Sequence, residues 1–192
     1  HTPILRNGKA AEVRGYLDDF DLTKAHAGAT LDQLSSTGLA LINLEPAVSM
    51  HYRQNIPVPL AGSEPIPIDS FLLRHKEYLP QGFAGDFEMI GHCMETSADP
   101  ESLRRWEDIF SAAGLSLKTR RAGCCGMAGL FGHESEHREM SREIFGLSWA
   151  ERVAEGQGAL LATGFSCRSQ AKRFAKISLQ HPVQALERAL DT

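Results

Sequence analysis

Four cysteines carry the most distinctive chemistry available to this chain. They fall as Cys93, an interval of 30 residues, the adjacent pair Cys124-Cys125 with Gly126 behind it, and then 41 residues to Cys167. Neighbouring Cα atoms lie about 3.8 Å apart, whereas a relaxed disulfide wants roughly 4.4–6.8 Å, so the pair bonded to itself would be strained. Four are also too few for a disulfide scaffold in a chain of 192 residues. The thiols therefore read as reduced, as ligands or redox groups in a cytoplasmic setting. No two have the two-residue spacing of a zinc ribbon or a thioredoxin motif. A strand followed by a cysteine nevertheless recurs three times, from Ile90 to Cys93, from Arg121 to Cys124 and from Thr163 to Cys167. In an open parallel sheet the loops after strands gather at one edge. Four thiolates meeting there can ligate a 4Fe-4S cluster or a tetrahedral zinc.

The neighbours of these cysteines favour thiolates. Cys167 is placed at a helix start, where free backbone N–H groups lower a thiol pKa. Arg120 and Arg121 precede the pair, and Arg168, Lys172 and Arg173 follow Cys167. Gly123, Gly126 and Gly129 let the backbone approach an inorganic group and aim N–H groups at its sulfurs. A lone cysteine is more often a small buried hydrophobe. An adjacent pair in a glycine-rich loop with two strand-end partners favours ligation. His92, beside Cys93, is a candidate ligand or donor to a cluster sulfur, with a capping or exposed histidine as the plainer alternative. His133 and His137 stand four apart without a metalloprotease motif between them. His181 before Pro182 suits a helix cap, and the Glu45-Pro46 turn suits structure.

The elements that must position these groups follow from punctuation and period. Composition is ordinary for a globular chain, 42 % apolar and 23 % charged, which excludes disordered and collagenous classes. A formal charge of −4 with no basic run lacks the footprint of a nucleic-acid binder. No apolar run approaches a membrane span, and there is no basic-then-apolar leader. A start at His1 suggests a fragment of a longer polypeptide. Thr30-Leu-Asp-Gln33 is a capping box for a helix to Gly38, and Leu39–Leu44 reads as a strand. Four prolines in residues 55–68 suggest an extended crossing, and Asp69 can cap a helix through Leu79. Phe87–Ile90 is a strand. Asp99 and Pro100 open a helix with the face Leu103, Trp106, Ile109, Phe110 and Ala113. Leu115–Arg121 alternates as a strand. One helix spans about His133 to Phe145 with Gly146 behind it, and a second opens on the box Ser148-Trp-Ala-Glu151. The strand Ala159–Thr163, a loop to Cys167, a basic helix from Arg168 and a last helix on Pro182 complete the chain. Strands alternating with helices predict an α/β fold of parallel βαβ units.

An internal repeat aligns Gly38–Arg53 on Gly158–Arg173 without gaps, with the glycine, the apolar strand, Ser49/Ser169 and Arg53/Arg173 coinciding. The chain thus reads as two related α/β halves, residues 1–83 without cysteines and lacking a first strand and helix, and residues 84–192 with them. In that case Leu39–Leu44 and Ala159–Thr163 occupy equivalent places in superposable halves. The sulfurs of Cys93, Cys167 and at least one of the pair then cluster, with Gln170 facing the same space.

Cys124-Cys-Gly-Met-Ala-Gly129, Gly91-His-Cys93, Ala162-Thr-Gly-Phe-Ser-Cys-Arg-Ser-Gln170 and His181-Pro-Val-Gln-Ala-Leu186 together resemble the cysteine-rich CCG domain shared by heterodisulfide reductase and the iron–sulfur protein of glycolate oxidase. The nearest resemblance is to the C-terminal domain of FAD-linked, iron–sulfur D-2-hydroxyglutarate or D-lactate dehydrogenases. Asn7-Gly-Lys9 and Leu44-Glu-Pro46 extend it over nearly the whole chain. The resemblance implies that Cys93, Cys124, Cys125 and Cys167 match the first four cysteines of the family pattern, with Gln170 at the fifth. Four leave a 4Fe-4S cubane, another metal or a vestigial site. It further implies that flavin and hydroxy-acid chemistry belong to a missing part of the polypeptide, with FAD bound there. This chain would pass electrons onward to an acceptor, with Arg120, Arg121 and Arg168 offsetting the cluster's charge, in the cytoplasm or at the inner membrane's surface. The alternatives are a structural or docking module whose cysteines hold zinc or nothing, and, last, thiol–disulfide exchange.

Overall fold

The computed structural model describes residues 28–30, 33, 34, 36–55, 65–79, 81, 84–156 and 159–190. The chain divides into two compact units, residues 1–42 with 51–66 and residues 43–50 with 67–192. In the first, Thr37 N donates to Leu34 O at 3.1 Å as the chain turns into Gly38, and Ile66 N donates to Leu41 O at 2.8 Å. Of the strand expected over Leu39–Leu44, only Ile42–Asn43 (β1) is extended. Leu39 and Leu44 are more than half exposed, so this run buries too little to propagate a strand. Pro46–Asn55 (α1) follows, and β1 pairs with Ile66–Pro67 (β2). Asn7-Gly-Lys9 lies outside the described residues, as do parts of the Thr30–Gln33 box and of the proline-rich crossing.

The second unit contains a helix at Ile68–Arg74 (α2), then Asp86–Ile90 (β3), Cys93–Ala98 (α3), Glu101–Ala112 (α4) and Ser116–Arg120 (β4). It continues with Arg138–Glu155 (α5), Ala159–Ala162 (β5), Phe165–Gln170 (α6), a π-helical turn over Ala171–Ala175, and Pro182–Leu190 (α7). Strands β4, β3 and β5 form a parallel sheet in that order, with Ile90 opposite both Arg120 and Ala162. This is the expected α/β arrangement. Alternation along β3 and β5 sends Met89 and Leu161 into one core with Trp106, Ile109, Phe110 and Leu186. Ile90 and Ala162 point into a second core with Phe145, Trp149, Cys125 and Cys167. The whole anticipated face of α4 is buried. Among the described residues, no helix is long and apolar enough to cross a membrane.

Two helix readings change. Asp69 does not cap α2. It lies buried in the first turn and accepts from Arg105 Nε at 2.7 Å, while the same guanidinium reaches Asp99 at 2.7 Å. The helices expected on either side of Gly146 are one helix, α5, because Phe145, Trp149 and Val153 recur every four residues on a single buried face. Gly in a helix interior costs about 1 kcal/mol relative to Ala, less than those side chains gain by burial. Ser148 therefore has no helix start to cap, and its hydroxyl donates to Cys124 O at 3.4 Å instead.

The loop after β4 is packed tightly against α5. Gly126 has φ +85°, and a Cβ there would meet Ser141 O at 2.2 Å. Gly126→Ala is expected to cost about 3 kcal/mol or more in urea unfolding, through strain and clash together. The buried ring of His181 has its pKa lowered to about 4, chiefly by desolvation and secondly by Arg168. The unfolded chain then binds more protons between pH 6.5 and 4, so stability should fall as pH drops through that window. His181→Asn, which retains a capping acceptor for α7, should make the urea midpoint less steeply dependent on pH over that window.

Candidate functional site

A sheet ordered β4-β3-β5 has a reversal of direction at its centre. The chain moves from β3 to one side for β4 and then crosses to the other for β5. In open parallel sheets the crevice beyond the strand ends at such a switch point is where ligands bind. Here the loops that leave that edge carry the cysteines. Cys93 opens α3 directly beyond β3, Cys167 is the third residue of α6 beyond β5, and Cys124 and Cys125 follow β4. All four are free thiols, with Cys125 and Cys167 buried and Cys93 and Cys124 half-buried.

The thiols act on one another electrostatically. A hydrogen bond between the side chains of Cys125 and Cys167 pulls the first down to about 7 and, with burial, pushes the second well above its usual value. Burial raises the Cys93 thiol, and the charges of Cys124 and Cys125 raise it further. A helix start alone would lower Cys167. The opposite holds, because the hydrogen bond with Cys125 and, after it, desolvation outweigh the N–H groups of a six-residue helix. Among the described residues no group of three or more His, Cys, Asp or Glu side chains is arranged to hold a metal ion. The thiols gather in one region without closing into a cage.

The other expected residues divide sharply. His92 does not reach a sulfur. Its Nδ1 accepts from Met94 N at 3.1 Å and its backbone N–H donates to Glu95 Oε2 at 2.9 Å, a capping box for α3. Nε2 faces Ser166 Oγ at 3.4 Å. Desolvation holds the ring at a pKa of about 4 and so neutral. Arg120 pairs with Glu88 and reaches Glu155 at 3.3 Å, with its charge directed to the sheet face, and Arg121 is exposed. Arg168 does interact with Cys167 by charge, while its Nη1 donates to Ala162 O at 2.9 Å and Thr163 O at 2.5 Å. Gln170, fully buried, donates from Nε2 to Cys125 O at 3.1 Å and Ser141 Oγ at 2.7 Å, and Ser141 Oγ donates to Gly126 O at 2.7 Å. It thus engages the backbone of the Cys124-Cys125 loop. Its Oε1 is buried without a hydrogen-bond partner among the described residues.

Five residues that the sequence alone does not single out for the site shape it. Trp149 Nε1 donates to Gly123 O at 3.0 Å, and Ser148 and Ser141 hold the same loop. Glu95 accepts from His92 N and from Thr163 Oγ1. A signal existed for Glu95: it stands three residues after His92, the spacing of a capping box. Glu45, read as structural, accepts from Phe165 N at 2.8 Å at the start of the helix that carries Cys167.

By the chemistry of the donors, though not by a closed arrangement of them, the four thiols suit a thiophilic metal group. The donor set consists of soft sulfurs, with Gly126 N donating to Cys124 Sγ at 3.3 Å as such groups require of their surroundings. Gly164 has no side chain where one would intrude, since a Cβ there would lie 3.1 Å from Cys167 Sγ and 2.3 Å from His92 Cδ2.

No family model and no solved structure matches the chain. Curated proteins do. D-2-hydroxyglutarate dehydrogenase of Pseudomonas putida is 38 % identical over 189 residues, which is 96 % of this chain and 18 % of that protein. The enzymes of the same name from Haemophilus influenzae and Escherichia coli are each 34 % identical, over 96 % of this chain and 19 % of their own length. The chain spans about a fifth of the length of these relatives, and over nearly all of its own length it is homologous to a segment of D-2-hydroxyglutarate dehydrogenases.

Proposed function

We propose that this chain is the iron–sulfur electron-transfer segment of a flavin-dependent D-2-hydroxy-acid dehydrogenase. The observation that carries the reading is the convergence of Cys93, Cys124, Cys125 and Cys167 on the switch-point edge of the sheet. The homology to dehydrogenases supports a redox role for those thiols. A 4Fe-4S cluster held by the four would carry single electrons between FAD, bound elsewhere in the polypeptide, and an acceptor. The chain's own contribution is positional and electrostatic. Gln170, Ser141 and Trp149 fix the loop of the adjacent pair, and the buried second core keeps water from Cys125 and Cys167. Arg168 places a positive charge beside Cys167. Free thiols suit the reducing cytoplasm, which is the setting we propose.

The two-half organisation, residues 1–83 and 84–192, belongs to the same proposal. Glu45 and Phe165 are aligned positions of the internal repeat and they touch each other, as residues related by a local symmetry axis do. A zinc-bound or vestigial site is the second reading. It is favoured by Gln170, whose amide is committed to Cys125 O and Ser141 Oγ where a further thiol would complete the family pattern.

Anaerobic reconstitution with iron and sulfide separates the readings. The wild type should take up about four irons and four sulfides per chain and show the visible and paramagnetic spectra of a cubane, and Cys124→Ser should lose them. If both take up equally little iron, the cluster reading fails. Stoichiometric zinc without iron in protein purified away from air establishes the second reading instead.

A further inference from the structure

Ladder pairing between β3 and β5 ends at Ile90 opposite Ala162. Beyond that pair the two chain segments diverge into separate turns, one leading to Cys93 and the other to Cys167. A buried carboxylate bridges them. Glu95, buried on α3 at 5 % exposure, accepts from His92 N at 2.9 Å with Oε2, and the same oxygen accepts from Thr163 Oγ1. His92 immediately precedes Cys93, and Thr163 is the first residue beyond β5. The other oxygen, Oε1, accepts from Ser102 Oγ at 3.0 Å, and Ser102 lies on α4, away from both cysteine turns. Arg168 locks the far side of the same junction through Thr163 O, and His92 Nε2 faces Ser166 Oγ one residue before Cys167.

We propose that Glu95 is a positioning residue of the cysteine site, and that through Thr163 it sets the spacing of Cys93 and Cys167 for a bound thiophilic metal group. The proposal rests on the reading that these cysteines bind metal, though not on which metal they bind. A buried carboxylate that fully satisfies three donors is costly to desolvate and costly to disrupt, so it holds one geometry. Outer hydrogen bonds of this kind typically govern metal affinity by about 10–100-fold.

Cobalt(II) titrated into the reduced, cluster-free chain tests this, with thiolate-to-cobalt charge-transfer absorption as the readout. Thr163→Val removes the bridge while keeping the capping box of α3 and the Ser102 bond, so it should fold and bind cobalt about 10–100-fold more weakly with an altered charge-transfer spectrum. Glu95→Ala should do the same. Glu95→Gln should restore wild-type binding, because one amide oxygen can accept from both His92 N and Thr163 Oγ1. Ser102→Ala removes a bond to the same carboxylate without touching the bridge, and should lower thermal stability while leaving cobalt affinity and spectrum as in the wild type. Wild-type affinity and spectrum in Thr163→Val overturn the proposal, as does a Ser102→Ala variant impaired as much as Thr163→Val. A wild type that binds no cobalt through thiolates also overturns it. Wild type that binds cobalt in this way but takes up no iron and sulfide sinks the iron–sulfur reading, while the comparison among variants still decides the role of Glu95.

Discussion

Parallel pairing of β3 with both β4 and β5 sets Ile90 level with Arg120 and with Ala162, so three chain segments leave the sheet at one height. Each then carries a cysteine within five residues, and the three loops have nowhere to go but over the same edge. The pairing is held by burial on both faces. Met89 and Leu161 are inaccessible on one side, and Ile90 and Ala162 on the other. This is the pattern of a parallel strand covered by helices on both faces. A residue slip in either ladder would exchange those faces and carry the cysteine turns apart.

Gathering thiols has an electrostatic consequence. Burial and the neighbouring thiols raise the cost of deprotonating Cys93, and the side-chain hydrogen bond to Cys125 together with burial raises it for Cys167. The protein relieves this locally by sharing a proton between Cys125 and Cys167, by aiming Gly126 N–H at Cys124 Sγ, and by setting Arg168 beside Cys167. These devices moderate the repulsion, and a cationic metal group would relieve the rest. The groups beside the sulfurs include the Gly126 N–H and the Ser166 hydroxyl, with the charge of Arg168 near Cys167, and the thiols remain the soft donors that such a group seeks.

Much of this is legible in the residues, and what is not has identifiable causes. The face of α4, the strands on either side of it and the recurrence of strand then cysteine all follow from period and punctuation, which local chemistry enforces. The continuity of α5 does not, because the burial of Phe145 and Trp149 against the sheet overrides a glycine that locally signals a stop. Leu39–Leu44 has the composition of a strand, yet its exposed leucines show that composition alone cannot supply a partner layer. Nearness in sequence assigns Arg120 to the cysteines. Its side chain follows the pleat instead, to the face it shares with Glu88, a relation visible only once Ile90 is known to pair with Arg120. Cys167 has the helix start that lowers a thiol, but its neighbour across the edge, Cys125, dominates it.

The two histidine caps show how one local device acquires a second role. His92-Cys-Met-Glu95 and His181-Pro-Val-Gln184 follow one plan. In each, ring Nδ1 accepts from the backbone N–H two residues on, and the side chain three residues on accepts from the histidine's own backbone N–H. At α7 a neutral amide serves, since Gln184 Oε1 need only accept from His181 N, at 2.9 Å. At α3 three donors converge, two on one oxygen and one on the other, and a carboxylate is the side chain that is acceptor on both atoms. Two donors are added, Ser102 from α4 on the second oxygen and Thr163, just beyond the strand that leads to Cys167, on the first. A helix cap, required by local backbone chemistry alone, has thereby become a tie between two turns that are far apart in sequence, where the ladder of β3 and β5 no longer holds them together.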